Sequence, residues 1–154
     1  MNQTTKDIQI QQAFNLLSFD FLPLLEDSIE DGHRHIQRLI NDYTTGENKF
    51  NKPGESLFVA LLDNAIIGVC GLNQYPYNNL TYGRLRRLYV KKTHRKLGIG
   101  RMLVETVLKH ANENFEILVL KTDSFIAGRF FESLGFKKIT YISDATHIKE
   151  FDVH

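Results

Sequence analysis

The chain has only one cysteine and no long apolar run among its 154 residues. A single cysteine, Cys70, excludes an intramolecular disulfide and is typical of proteins from a reducing compartment. No segment reaches the roughly 20 apolar residues of a membrane span, and residues 1–12 contain no apolar stretch of signal-peptide length. We therefore expect a cytoplasmic protein without a membrane partner, in which Cys70 is a core residue.

Acidic residues are missing from a long central part of the chain. No Asp or Glu lies between Asp63 and Glu105, whereas the same stretch holds 8 of the 19 basic side chains: Arg84, Arg86, Arg87, Lys91, Lys92, Arg95, Lys96 and Arg101. The net charge is only +1, which does not suit a protein built as a whole to coat nucleic acid. Positive potential is instead concentrated in one region.

Length and composition predict a single domain over residues 1–154. Hydrophobic residues make up 42% and charged residues 24% of the chain, the balance of a soluble globular protein. A chain of this length buries about two-thirds of the surface that its unfolded form exposes, which is enough for one core. No internal repeat, low-complexity tract or linker divides the sequence.

The first half of the chain predicts a strand, two helices and a hairpin. The strand covers residues 7–11, the helices cover 19–31 and 33–43, and a polar loop covers 46–55. Apolar, β-branched runs over 57–62 and 66–72 are joined by Asp63-Asn64, residue types that tolerate the positive φ of a tight turn. We expect a loop over residues 73–82.

The second half predicts strands alternating with helices. A strand over 85–90 precedes a helix from Ile99 to about residue 113, whose apolar side chains recur on one face. A buried strand over 116–121, a short helix over 125–134, and a closing strand pair over 136–142 and 148–153 follow. The order indicates a mixed α/β (α+β) fold with a mostly antiparallel central sheet flanked by helices. The crossover over 85–121 should be parallel and right-handed.

A basic, glycine-spaced loop joins the strand over 85–90 to the long helix. It reads Arg95-Lys96-Leu97-Gly98-Ile99-Gly100-Arg101 and ends where the helix begins. Glycines let backbone N–H groups approach an anion closely, and a helix start adds unsatisfied donors and a positive dipole end. This pattern predicts a pyrophosphate-bearing ligand.

Two common phosphate-binding motifs do not fit. A nucleoside triphosphate loop needs Gly, four residues, Gly-Lys and Ser or Thr, and the chain has no such run. A dinucleotide fingerprint needs a third glycine, but Leu103 stands at that position, and residues 91–97 separate the loop from the strand.

The loop matches the pattern Arg-x-x-Gly-x-Gly instead. Preceded by Leu88-Tyr89-Val90 and followed by an amphipathic helix, it closely resembles the acetyl-coenzyme A loop of the GNAT superfamily of N-acetyltransferases. The resemblance continues through residues 118–136, which end in Leu134-Gly135-Phe136. It is specific from about residue 57 to residue 136 and topological elsewhere.

The resemblance implies a fold, a reaction and a set of cofactor-binding residues. The sheet would splay open at the central strand, where backbone groups of Leu88, Tyr89 and Val90 would hold pantetheine and thioester. The N–H near Leu88 would bind the thioester oxygen. Backbone amides of the loop would cradle the pyrophosphate, with side-chain charges reaching the phosphates; the residues concerned are Arg95, Lys96, Leu97, Gly98, Ile99, Gly100 and Arg101. The reaction implied is direct transfer of an acetyl group from acetyl-coenzyme A to an amine.

Three positions depart from the family pattern. Arg86 stands where many relatives carry a carboxylate base, Phe131 where many carry a tyrosine near the coenzyme sulfur, and Ser124 where an asparagine commonly contacts pantetheine. A lysine-like amine is only about 0.1% neutral near pH 7.4, so a base is valuable. We expect the base to be Glu55 or a water chain, or the acceptor to be a less basic α-amine.

The expected acceptor is an amine of a small molecule or peptide. Arg84 and Arg86 alternate on one face of the central strand, where they would favour a substrate carboxylate or phosphate. His33 and His35, two residues apart, should point to different helix faces, and no metal is expected. An exposed edge strand would allow a homodimer.

Two other functions compete with catalysis. The departures at Arg86, Ser124 and Phe131 would also suit a non-catalytic acyl-coenzyme A-binding sensor. The basic stretch from Arg84 to Arg101 would suit a nucleic-acid contact, but it lacks clustered stacking aromatics and the net charge is near zero.

Overall fold

The computed structural model describes residues 7–151, which form one seven-stranded sheet with helices packed on both faces. The helices are α1 (Leu22–Glu30), α2 (His35–Thr45), α3 (Ile99–Asn114) and α4 (Phe125–Ser133). The strands are β1 (Ile8–Gln12), β2 (Ser56–Leu62), β3 (Ala65–Tyr77), β4 (Leu80–Val90), β5 (Ile117–Leu120), β6 (Lys137–Lys138) and β7 (His147–Glu150).

The sheet has the order β1-β2-β3-β4-β5-β7-β6. All neighbouring strands are antiparallel except β4 and β5, which are parallel and joined through α3. The predicted fold class is confirmed, including the parallel crossover over residues 85–121.

Two-residue turns make both hairpins of the sheet's first half. Asp63 and Asn64 have φ of 51° and 66°, as the sequence predicts for that turn. Asn78 and Asn79 have φ of 48° and 67° and join β3 to β4. The predicted loop over 73–82 is therefore wrong. The strands continue because three tyrosines pack against a buried apolar cluster at one end of the sheet; the tyrosines are Tyr75, Tyr77 and Tyr82, and the cluster is Val119, Ile142, Ala145 and Ile148.

The predicted closing strand pair is confirmed, but it is shorter than predicted. Of residues 136–142, only Lys137 and Lys138 pair with β7, and β7 begins at His147. The segment leaves the sheet edge because Ile142 and Ala145 turn onto the face that carries Val119 and Ile148. Residues 152 and 153 of the second predicted strand lie outside the described residues.

The two sheet faces have separate apolar clusters. On one face α3 and α4 pack over the sheet, with α3 burying Leu103, Val104, Val107 and Ala111 completely. Cys70 belongs to this cluster, and burial raises the pKa of its thiol far above the ordinary value, so it is a core residue. On the other face α1 and α2 cover Leu57, Val59, Val69 and Tyr89.

The first two helices begin later than predicted. The Asp20 carboxylate accepts a hydrogen bond from the Leu22 amide at 3.1 Å, and α1 starts at that residue. His33 precedes α2 rather than lying in it, so its ring stacks on His35 with centroids 5.3 Å apart. The prediction that the two imidazoles point apart is wrong.

Residues 7–151 contain neither a membrane-spanning helix nor a metal-binding cluster. None of the helices there is long and apolar enough to cross a bilayer. No group of three His, Cys, Asp or Glu side chains is placed to hold a metal ion in that part of the chain.

Candidate active site

A bulge interrupts β4 three residues before its end. Val69 of β3 pairs with Tyr89, but Gly71 pairs with Arg86, so β4 carries one extra residue. Arg87 takes up the irregularity with a φ of 61°. As a result, Arg86 and Tyr89 both face α1 and α2, while Leu88 and Val90 pack toward α3.

The sheet opens beside this bulge. β5 pairs with β4 only at Gly83 and Arg84. From Leu85 to Val90, no strand among the described residues pairs with β4 on that side. The predicted splaying at the central strand is confirmed, and the gap exposes backbone of β4 between the two layers of helices.

The glycine loop ends at the start of α3. Lys96 and Gly98 have positive φ, at 69° and 81°, and Gly98 is the residue before the helix. The first helical hydrogen bond runs from the Met102 amide to the Gly98 carbonyl at 3.0 Å. The amides of Ile99, Gly100 and Arg101 therefore have no acceptor within the helix.

Both glycines of the loop have open space where a side chain would lie. A Cβ added to Gly98 would meet nothing within 4 Å, and one added to Gly100 would meet only Phe130 and Val90, both at 3.9 Å. Ile99 is buried in the core and anchors the helix start. The backbone donors thus form an accessible anion cradle on a 16-residue helix.

Arg95 points back into the protein rather than toward the cradle. Its guanidinium donates to the Val90 carbonyl at 2.9 Å and to the Asp31 carboxylate at 2.7 Å, and it lies 5.2 Å from the Tyr89 ring centre. The hydrogen bond from Arg95 holds the pKa of Asp31 below its ordinary value. These contacts fix the loop against α1 and occupy the side chain that was predicted to reach phosphate.

The other loop side chains remain outside. Lys96 is exposed and has no hydrogen bond or ion pair within residues 7–151. Arg101 makes only 3.4 Å contacts, to Glu105 and Ser133. Leu97 is 39% exposed. Lys96 and Arg101 are therefore the cations left to approach an anion at the helix start.

Asp27 of α1 makes a second contact with the β4 end and the following segment, which the sequence did not predict. The Tyr89 hydroxyl donates to Asp27 at 2.6 Å, and the Lys92 amide donates to the same carboxylate oxygen at 3.1 Å. Burial and the Asp27 carboxylate raise the pKa of Tyr89, so its hydroxyl stays protonated. The partners are 62 and 65 residues apart, and nothing local in the sequence links them.

The α4 residues have structural contacts of their own. The Ser124 hydroxyl accepts the Ala127 amide at 3.1 Å and caps the helix. Phe131 is only 5% exposed and lies between Phe130 and Phe136, with ring centroids at 5.2 and 5.7 Å. Phe130, not Phe131, is the half-buried ring nearest Gly100.

A polar cavity of about 320 Å³ lies on the α2 side of the bulge. Its wall includes Glu55, whose carboxylate accepts three N–H groups, from Gln74 at 2.8 Å, Asn73 at 3.0 Å and Lys52 at 3.1 Å. The other lining residues are Asp42, Gly46, Glu47, Asn48, Lys49, Asn51, Lys52, Asn73, Gln74 and Arg86.

Arg84 and Arg86, which the sequence places on one strand face, have different surroundings in the structure. Arg84 donates to Asp144 at 2.7 Å, lies 5.3 Å from the Tyr75 ring centre and does not line the cavity. Arg86 lines the cavity. The expectation that both arginines share the cleft is wrong for Arg84.

The basic stretch is largely neutralised by carboxylates from elsewhere in the chain. Five of its eight cations lie within 4 Å of an acidic oxygen: Arg84 of Asp144, Arg87 of Asp42, Lys92 of Glu30, Arg95 of Asp31 and Arg101 of Glu105. Carboxylates within the described part of the chain therefore offset most of the positive charge of this stretch.

Comparison with protein families gives a match over more than half of the chain. Residues 53–138 match the family model described as an acetyltransferase (GNAT) domain. That segment contains the cavity residue Glu55, the bulge, the cradle and α4. No curated protein gives a significant match.

Solved structures share the fold. A protein of Exiguobacterium sp. 255-15 named as an acetyltransferase is 28% identical, with a TM-score of 0.83 over 94% of this chain and 93% of that chain. A Bacillus anthracis Ames protein named as a streptothricin acetyltransferase, solved with acetyl coenzyme A, is also 28% identical, with a TM-score of 0.56 over 66% and 65% of the two chains. The protein of the KacTA–DNA complex, 15% identical with a TM-score of 0.72 over 93% and 92%, shows the fold alone.

Proposed function

The chain belongs to the GNAT family of acetyltransferases, and on that premise we propose that it transfers the acetyl group of acetyl-coenzyme A to a primary amine of a small molecule or peptide. The observation that carries the proposal is the pairing of two features: the open amides of Ile99, Gly100 and Arg101, and the gap between β4 and β5 next to the bulge. An anion cradle beside exposed strand backbone suits a long ligand that has a pyrophosphate at one end and a reactive acyl group at the other.

Each part of the loop and of β4 is assigned to one part of the coenzyme. The backbone amides of residues 97–101 bind the pyrophosphate, and Lys96 and Arg101 supply charge. Arg95 holds the loop in shape through Asp31 and Val90. Leu88, Tyr89 and Val90 present backbone to the pantetheine arm, and α4, with Ser124 at its N-cap and the ring of Phe131 buried on its inner side, borders the far side.

Acetyl-coenzyme A supplies an activated thioester; the amine nitrogen attacks its carbonyl carbon, and the carbon–sulfur bond breaks. We assign the backbone N–H near Leu88 to the thioester oxygen, because a fixed dipole stabilises developing charge without reorganising. Glu55 is the candidate base, since its carboxylate shares the cavity with Arg86 close to the bulge. The released thiolate takes a proton from solvent, because Phe131 cannot donate one.

Ligand binding and thiol release test the proposal. Acetyl-coenzyme A at about 100 times its dissociation constant adds roughly 2.7 kcal/mol to the free energy of unfolding, which raises Tm by several degrees for a chain of this size. Adenosine diphosphate is the control for unspecific phosphate binding. We expect a shift specific to acetyl-coenzyme A and amine-dependent release of free thiol; the absence of a shift at millimolar ligand would refute the cofactor assignment.

A sensor that binds acyl-coenzyme A without turnover is the second candidate. It is favoured by three features together: a cation at Arg86, the buried ring of Phe131 and the capping role of Ser124. Both functions predict the Tm shift. Thiol release across a broad amine panel separates them, because only the enzyme consumes the thioester.

A further inference from the structure

The polar cavity beside the bulge is lined by charged and amide side chains, and two of its carboxylates already have partners. Asp42 faces Arg87 at 3.5 Å, and Glu55 accepts three hydrogen bonds. Asn48 and Asn73 exchange two amide hydrogen bonds, both of 2.9 Å. The wall is therefore built and held in place before any ligand enters.

Arg86 differs from the other two cations of the wall, Lys49 and Lys52, because those two are exposed. It is half-buried, yet no hydrogen bond or ion pair reaches its guanidinium from residues 7–151. Its neighbours on the same strand do have carboxylate partners, Arg84 at 2.7 Å and Arg87 at 3.5 Å. A guanidinium has five N–H donors in a planar fork, and leaving them unpaired under partial burial is unfavourable.

The environment confirms that this cation is under-compensated. Burial, and next the positive charge of Arg84, lower the pKa of Arg86 from its ordinary value. The carboxylates that act on it from a distance are Asp42, Asp144 and Glu47. An anion in the cavity would supply the missing charge.

The position of Arg86 relates the cavity to the proposed reaction. Arg86 precedes the bulge, and Leu88, the proposed thioester contact, follows two residues later in the same strand. An anionic group held by Arg86 would leave the rest of a small molecule directed along β4 toward the gap. The volume of about 320 Å³ suits a ligand about the size of an amino acid.

We propose that Arg86 selects an acceptor amine that carries its own carboxylate or phosphate, bound by the guanidinium fork. This inference rests on the proposed acetyltransferase function and names its substrate class. The same charge disfavours polyamines and other acceptors whose second charge is positive.

Matched substrate pairs provide the test. L-amino acids are compared with their carboxamides, phosphoethanolamine is compared with ethanolamine, and spermidine represents cationic acceptors; thiol release reports kcat and KM for each. Carboxamides have the less basic amine, so a preference for the acid cannot come from easier deprotonation. We expect kcat/KM for the anionic member of the preferred pair to exceed that of its neutral partner by at least tenfold. The two pairs show whether the anion is a carboxylate or a phosphate.

Three variants separate a specific role of Arg86 from a general loss of charge. Arg86→Gln should raise KM for the anionic acceptor about 10- to 100-fold and leave the neutral partner unchanged. Arg86→Lys should recover part of the loss, because it keeps the charge without the fork. Arg84→Gln removes a charge from the same strand outside the cavity and should leave the preference intact.

A binding measurement keeps this inference separate from the proposed reaction. Calorimetry with the amino acid or phosphoethanolamine, in the presence of coenzyme A, needs no turnover. Anion binding that depends on Arg86 without thiol release would support the anion site and refute the transferase. Three results would overturn the inference. Neutral or cationic amines could react as well as anionic ones, or Arg86→Gln could affect both members of a pair equally. The third is a lack of anion binding while the fold and the Tm shift with acetyl-coenzyme A are intact.

Discussion

Replacing Gly98 by alanine tests the anion cradle with little disturbance elsewhere. Gly98 has a φ of 81°, and a Cβ there would meet nothing within 4 Å. The substitution therefore introduces backbone strain but no clash. Alanine in this left-handed region costs about 1 kcal/mol relative to glycine, which corresponds to a fall in Tm of about 2–4 °C for a domain of this size.

The effect on acetyl-coenzyme A should be much larger than the effect on stability. The new methyl group adds bulk at the residue before the helix start. Relief of the backbone strain would rotate the loop amides away from the ligand. Losing one hydrogen bond to a charged group costs about 1.5–3 kcal/mol. We therefore expect the dissociation constant to rise by about 10- to 100-fold, measured by isothermal titration calorimetry on the free protein.

Gly32→Ala is the matched control. Gly32 has a φ of 80° and equally open space around the missing Cβ, and it lies between α1 and α2. It should lose the same stability and keep its affinity for acetyl-coenzyme A. If Gly98→Ala bound acetyl-coenzyme A as tightly as the wild type, the loop would be only a turn and the cofactor assignment would fail.

Three further changes probe other parts of the structure. Asp31→Asn removes the charge that faces Arg95. Because the pKa of Asp31 in the folded protein lies below its ordinary value of 3.8, the ion pair stabilises the fold above that pH. The Tm difference between the variant and the wild type should therefore be constant above about pH 5 and disappear as the pH falls below about 4. A difference that grew in acid would contradict this assignment. Gly83→Ala would place a Cβ 2.7 Å from Phe115 Cδ2 and should cost about 1–3 kcal/mol in a denaturant titration, whereas Gly100→Ala, with ordinary contacts at 3.9 Å, should keep its stability. Phe131→Tyr should lower Tm, because the ring is 5% exposed and an unpaired buried hydroxyl costs about 1–3 kcal/mol. It should raise the rate of thiol release only if the hydroxyl reaches the coenzyme sulfur and protonation of the thiolate limits turnover, and an unchanged rate would refute that role.

Local signals in the sequence were sufficient for much of the fold and the cradle. The glycine spacing and the apolar stripe of the following helix predicted a start of α3 at Ile99, where it does begin. Asp63-Asn64 predicted its hairpin. Asn78-Asn79 is the same kind of signal, but the surrounding tyrosines and Pro76 made residues 73–82 resemble a loop. Those tyrosines pack on one another and on apolar neighbours, which only the assembled sheet reveals.

The details of the candidate site depend on contacts between distant parts of the chain. The sequence could not show that Arg95 would be held by Asp31, or that Arg84 would find Asp144, because these partners are 64 and 60 residues apart. Arg84 and Arg86 do lie on one strand face, as the sequence indicates, but the sequence does not show which of them has a partner. Only the positions of α2 and of the segment after β6 decide that Arg84 is neutralised and Arg86 faces a cavity.

The extra residue in β4 reverses the alternation of side chains between the two faces of the sheet. Before the bulge, even-numbered residues such as Arg84 and Arg86 face the α2 side; after it, the odd-numbered Tyr89 takes that side, and Leu88 and Val90 turn to the opposite layer. Deleting one residue between Arg86 and Tyr89 would exchange the two sets of side chains. Tyr89 would then be moved away from Asp27, and Leu88 would be moved into the layer of α1. The length of this short segment is therefore constrained more tightly than its composition.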